Sequence, residues 1–187
     1  IVSGDLGHID AQGYVHITGR AKDVIIRGSH NIDPGLVEEA FLAHPAVALC
    51  AVVGEPDAYA GELPVAFVTL KPGVAVSAEA LLAEVAPQVY ERPATPKRLT
   101  LLDAMPMTAI GKIYKPTLRL RAVEAKLADM LTDVPGAVVR GEERGGSLCA
   151  VVSIPTAPDP MLETRLREQL AAIAVPVSFV FAQTPGE

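Results

Sequence analysis

Asp5 stands between glycines in Ser3-Gly4-Asp5-Leu6-Gly7. A carboxylate in such a loop can accept hydrogen bonds from two adjacent hydroxyls, as in a ribose diol. It can equally bond its own backbone in a turn. Arg20 and Lys22 follow an alternating segment and Gly19. An arginine there can fork onto a phosphate or ribose, and a lysine can act as a mobile charge. A solvated hairpin turn would use the same residues. Lys112 follows Gly111 in Met105-Pro106-Met107-Thr108-Ala109-Ile110-Gly111-Lys112-Ile113-Tyr114-Lys115. From Lys112 to Lys126, the basic residues Lys112, Lys115, Arg119, Arg121 and Lys126 meet only one acid, Glu124. Positive charge beside a glycine-bearing loop suits a phosphate. A solvated helix face is the plainer reading. The stretch is not a Walker loop, because Pro106 replaces the first glycine and Ile113 replaces the magnesium-holding hydroxyl.

Other chemistries find no footing. The histidines (His8, His16, His30, His44) have no metal-ligand spacing, and no metal site is expected. No Gly-x-Ser-x-Gly elbow supplies a hydrolase nucleophile. Cys50 and Cys149 fit no zinc or redox motif, and read as small buried hydrophobes of a reducing, cytoplasmic compartment. The net charge of −6 argues against a nucleic-acid binder. With 50% hydrophobic and 20% charged residues, the 187-residue chain has material for a packed core and too little charge for disorder. Its apolar run Ala46 to Val53 falls far short of the ~20 residues of a membrane helix, so no span is expected. The chain opens on Ile1 rather than Met and goes directly into the Asp5 motif, which suggests the tail of a longer polypeptide.

Several elements must position these residues. Gly13 to Thr18 alternates as a strand, and Asp23 to Arg27 reads as a second, closed by a Gly28-Ser29 turn. Asp33 caps a helix with Pro34 at its first position and Leu36, Val37, Ala40 and Phe41 on one face. Val47 to Val53 and Leu63 to Leu70 read as buried strands around a loop from Gly54 to Glu62. Ser77 opens a helix interrupted at Pro87, Arg98 to Leu102 is a short strand, and a helix follows from Pro116 to about Met130. After Asp133 come strands at Ala137 to Val139 and Ser147 to Ile154 around a Gly141-to-Gly146 turn. A helix from Asp159-Pro160 and a strand at Val177 to Phe181 complete the chain. This strand-strand-helix-strand order echoes Val47 to Leu102 as a weak internal repeat.

The three stretches, in this order, resemble the C-terminal part of the adenylate-forming (AMP-binding) superfamily, fatty-acyl-CoA synthetases above all. Gly19-Arg20-Ala21-Lys22-Asp23-Val24-Ile25-Ile26-Arg27-Gly28, Asn31-Ile32-Asp33-Pro34 and Val37-Glu38-Glu39 are similar to that group's signature. The resemblance covers residues 1 to about 125. It implies an α+β fold, a small mixed or antiparallel sheet flanked by helices, here with an appended strand-strand-helix-strand unit. It implies three parts: 1–20, the end of a large domain with the ribose-binding loop and the approach to the hinge; 21–126, a mobile lid; and 134–187, an added unit without a family role, open to self-association.

By matching position, Asp5 resembles the aspartate that grips the ribose hydroxyls, and Arg20 the arginine on the ribose and phosphate side of the adenylate. Lys22 resembles the hinge residue. Lys112 resembles the catalytic lysine that holds the reacting carboxylate against the α-phosphate. Gly28 and Ser29 fall on the hairpin that faces CoA, where family members often have two glycines. The implied substrates are a carboxylic acid, ATP and CoA, with Mg2+ bound mainly by an N-terminal domain outside this chain. The fragment alone is then expected to be inactive. Two other readings stay open, an adenylation domain that loads a carrier protein and a non-catalytic binding or assembly module.

Overall fold

The structure is a computed structural model and describes residues 3–145 and 147–182. Gly146, at the end of the expected turn, and the terminal residues of the 1–20 and 134–187 segments lie outside the described residues. The chain divides into two units, residues 1–54 with 62–115 and residues 55–61 with 116–187.

The first unit opens with a two-stranded antiparallel ribbon, β1 (Asp5–Ile9) and β2 (Val15–Arg20). A short 3-10 turn, Ala21–Asp23, leads into β3 (Ile25–Arg27), so the expected strand from Asp23 starts two residues late. Gly28 turns the chain at φ +58° into β4 (His30–Ile32), antiparallel to β3. Asp33 then caps α1 (Pro34–Leu42), its carboxylate accepting from Gly35 N at 2.9 Å. Val37 and Phe41, one turn apart, are buried, while Leu36 is 65% exposed and leaves the expected apolar face.

β5 (Val47–Asp57) and β6 (Gly61–Leu70) are neighbours in the sheet, which is ordered β4-β3-β6-β5. The expected loop from Gly54 to Glu62 is thus mostly strand. Glu55 and Pro56 are buried, and residues 58–60 alone make the turn. There Asp57 Oδ1 accepts from Tyr59 N and Ala60 N, both at 3.0 Å. α2 (Ala78–Val85) is capped by Ser77, whose hydroxyl accepts from Ala80 N at 3.1 Å. β7 (Arg98–Leu101) then runs parallel to β6. Ile25, Ile32, Val37, Phe41, Val52, Val68, Leu81 and Val85 are buried together in the core of this unit.

The second unit holds the hairpin tip at 55–61 and most of α3 (Lys115–Met130). β8 (Val138–Arg144) and β9 (Ser147–Ile154) pair antiparallel, and α4 (Pro160–Leu170) follows, capped by Asp159. β10 (Val177–Phe181) returns parallel to β9. Val123 and Leu127 of α3, Ala150, Val152 and Ile154 of β9, and Leu166 and Leu170 of α4 make the core. Lys126 Nζ lies 3.2 Å from Asp57 Oδ2, and Glu124 Oε1 accepts from Gly141 N at 2.8 Å. The expected repeat holds as topology: two strands, a helix and a strand parallel to the second recur in both units. No helix among the described residues is long and apolar enough to cross a membrane.

Candidate functional site

Asp5 is not in a loop: it is the first residue of β1, and Arg20 is the last of β2. The two are direct cross-strand partners, with Arg20 Nε 3.3 Å from Asp5 Oδ1. Ala21 N donates to Gly4 O at 2.9 Å and closes this end of the ribbon. Sequence residues fifteen positions apart thus form one acid–base pair, and both side chains are partly open to solvent. At the other end, Asp10 accepts from the His16 ring at 2.7 Å, from Tyr14 N at 2.9 Å and from Gln12 N at 3.0 Å. The His16 contact first, and then the Tyr14 amide, hold the Asp10 carboxyl below the usual carboxylate range.

Lys22 sits in the Ala21–Asp23 turn that joins ribbon to sheet, where a change of backbone direction concentrates in few residues. Gly28 and Ser29 form the turn of the β3–β4 hairpin. Gly28 needs its missing Cβ for the left-handed conformation, whereas no non-glycine residue among those described has positive φ, so Ser29 fits without strain. The hairpin is braced by Glu62, which accepts from Ile26 N at 2.9 Å.

Lys112 lies on a miniature hairpin. Met107 and Ile113 form an antiparallel bridge, and Thr108 N donates to Lys112 O at 2.7 Å. Lys112 N donates back to Thr108 Oγ1 at 3.0 Å, and Gly111, at φ +74°, makes the turn. Tyr114 N donates to Pro106 O at 2.8 Å and closes the base. The exposed Lys112 ammonium makes no ion pair among the described residues. Two nearby lysines in sequence do: Lys115 with Glu38 at 2.7 Å and Lys126 with Asp57 at 3.2 Å.

The structure therefore brings Asp5 and Arg20 together, places Lys22 beside them in sequence at the ribbon's base, and keeps the glycine turn and Lys112 on separate hairpins. The Glu38–Lys115 pair is a feature that sequence reasoning passed over. Both residues were visible, Glu38 inside the signature and Lys115 among the basic residues, but nothing local joins them. Cys50 is buried, and burial first, then the Glu38 charge, push its thiol far above the usual range, which removes it as a nucleophile. Among the described residues no group of three or more His, Cys, Asp or Glu is gathered to hold a metal. The described residues do not fit a resident Mg2+.

Residues 36–112 match the AMP-binding enzyme C-terminal domain. Over those residues the chain carries the C-terminal domain of the adenylate-forming enzymes. It is 50% identical over 117 residues to a marinolic acid–CoA ligase of a Pseudoalteromonas species, covering 63% of this chain and 18% of the relative. It is 40% identical over 132 residues to an acetyl-coenzyme A synthetase of Pyrobaculum arsenaticum, covering 69% of this chain and 20% of that one. A crystal structure of ATP-bound MatB from Rhodopseudomonas palustris superposes with a TM-score of 0.59 at 36% identity, over 63% of this chain and 23% of that chain. The chain spans about a fifth of the length of the curated relatives it matches.

Proposed function

We propose that this chain is the C-terminal portion of an ATP-dependent acyl-CoA synthetase. A carboxylate oxygen attacks the α-phosphorus of ATP, pyrophosphate leaves, and an acyl-adenylate forms. The CoA sulfur then attacks the acyl carbonyl, and AMP leaves with the bonding pair. The observation that carries this reading is the exposed, unpaired Lys112 ammonium on a closed hairpin, beside lysines that are each matched by a carboxylate. A cation held on a rigid hairpin without an internal partner is suited to an external anion.

Its use follows from electrostatics. Carboxylate and triphosphate repel as they approach, and negative charge grows on the α-phosphate oxygens as the new bond forms. A preorganised ammonium is worth most at that moment, and losing such a donor costs ~10²–10³ in rate. Asp5 would accept from the ribose hydroxyls, and Arg20, already held against Asp5, would present its remaining donors to the ribose and phosphate side. Lys22 would be the pivot about which the lid turns, withdrawing Lys112 and bringing the Gly28-Ser29 turn towards CoA. Mg2+ on the phosphates would belong to the domain outside this chain.

The ribbon supports a division at residue 20. Ile9, Val15 and Ile17 are 69%, 65% and 65% exposed, and an isolated two-stranded ribbon is only marginally stable, so β1–β2 fits the edge of a larger domain. In the full-length ligase, Lys112→Ala should lower carboxylate-dependent pyrophosphate exchange by ~10²–10³. It should leave thioester formation from preformed acyl-adenylate and CoA unchanged. Equal loss in both half-reactions removes the role given to Lys112.

A further inference from the structure

We propose that the Glu38–Lys115 ion pair is a positioning clamp that aims the Lys112 hairpin and locks it to the element carrying the Gly28-Ser29 turn. The hairpin's own bonds, Thr108 to Lys112 and Tyr114 to Pro106, fix its shape. They do not fix its direction relative to the sheet, and a short hairpin held by its own bonds alone opens readily. Directly past its base, Lys115 reaches Glu38 Oε1 at 2.7 Å, with both side chains less than a fifth exposed, 18% and 19%. The same Oε1 accepts from Val52 N at 2.8 Å, so the carboxylate is itself pinned to β5. One oxygen thus ties the end of the Lys112 hairpin to α1 and to the central sheet.

This pair is poorly explained as a helix stabiliser. Lys115 is the first residue of α3, where the helix dipole disfavours a cation. Its placement makes sense if the contact with Glu38 is the point. Two consequences follow. Neutralising Lys115 leaves Lys112 as the uncompensated ammonium of the hairpin, so an arriving anion meets one partner rather than two competing ones. And because α1 begins at the cap Asp33, directly after β4, the clamp joins the Lys112 hairpin to the β3–β4 hairpin through one short helix. The two surfaces must then move as one body. The catalytic meaning rests on the reading of Lys112 above, but the clamp itself does not.

Amide hydrogen exchange on this chain tests it. Lys115→Met should speed exchange at Thr108, Lys112 and Tyr114 by about tenfold or more, the scale expected on losing a charge-assisted contact, while the Val68 amide in the core keeps its wild-type rate. Lys115→Arg, which keeps the charge, should restore the hairpin's protection. Wild-type rates at all three hairpin amides in Lys115→Met overturn the clamp, as does a parallel rise at Val68 by the same factor. In the full-length ligase, Lys115→Met should lower kcat of adenylation more than it raises KM for ATP and spare the thioester step. If Lys112→Ala leaves adenylation intact while the exchange pattern holds, the function is misread and the clamp stands.

Discussion

The segment β5-β6-α2-β7 and the segment β8-β9-α4-β10 use one topological device, a hairpin followed by a helix that returns a strand parallel to the hairpin's second arm. Their strands differ. β5 runs Cys50-Ala51-Val52-Val53 without an exposed residue, and β6 is buried from Pro64 to Thr69, so both faces of that sheet are covered. β9 buries Ala150, Val152 and Ile154 and leaves Val151 and Ser153 more open, the alternation of a sheet with one packed face. The proposed site falls outside this shared device. Each residue proposed for the site lies on additions to the first segment: the ribbon, the Ala21–Asp23 turn, the β3–β4 hairpin and the Lys112 hairpin. The scaffold common to both segments carries none of them, as expected when chemistry is grafted onto a stable frame.

The sharpest probe of the two cores removes one large side chain from each. Phe41 and Leu166 are both fully buried. Phe41→Ala should cost about 3–5 kcal/mol and Leu166→Ala about 2–5 kcal/mol, from lost burial plus the cavity left behind. The slowest-exchanging amides of each unit, read in native-state exchange, report the two losses separately. A cost below about 1 kcal/mol at Leu166 would mean a core that collapses around the gap, unlike the first.

The helix caps offer a finer contrast, since α2 and α4 hold equivalent places. Ser77 satisfies one amide, Ala80 N, whereas Asp159 Oδ1 accepts from Met161 N at 2.9 Å and Leu162 N at 3.3 Å. Alanine at either cap should cost about 0.5–2 kcal/mol, with Asp159→Ala the larger because it loses two contacts and a charge that favours the helix N-terminus. Denaturant titration of the two variants ranks them, and a larger loss at Ser77 reverses the contrast.

What could be read from sequence was local. Asp33-Pro34, Ser77 and Asp159-Pro160 announce their helices because a cap is decided within one turn of chain. The glycine turn at Gly28 and the lysine loop were legible for the same reason. The pairing of β1 with β2 was not. A register shift between Leu6 and Gly7 breaks the alternation that would have marked Asp5–Ile9 as a strand. The sequence around the turn at 58–60 reads as a longer loop because Gly54, Glu55 and Pro56 look like loop residues, yet the strand carries them inward. The Glu38–Lys115 clamp joins residues distant in sequence, and its partners become neighbours only when α1 and the start of α3 meet in the first unit.

The smallest effect concerns the tip of the β5–β6 hairpin in the first of these segments. The Asp57 carboxyl is held below the usual range, first by the Ala60 amide, then by Tyr59 N and by Lys126, against the opposing effect of burial. Its folded-state pKa therefore lies below its unfolded value of roughly 4. The unfolded chain binds the proton more readily, so the contribution is fully present above the unfolded pKa and is lost as pH falls through the folded one. Stability measured in denaturant between pH 6 and pH 2 should decline through that window. Asp57→Asn keeps an acceptor for the turn amides but cannot titrate, so it should lower stability at neutral pH and flatten the acid slope. An unchanged slope in Asp57→Asn would assign the acid sensitivity to other carboxylates and leave the tip held by its backbone bonds alone.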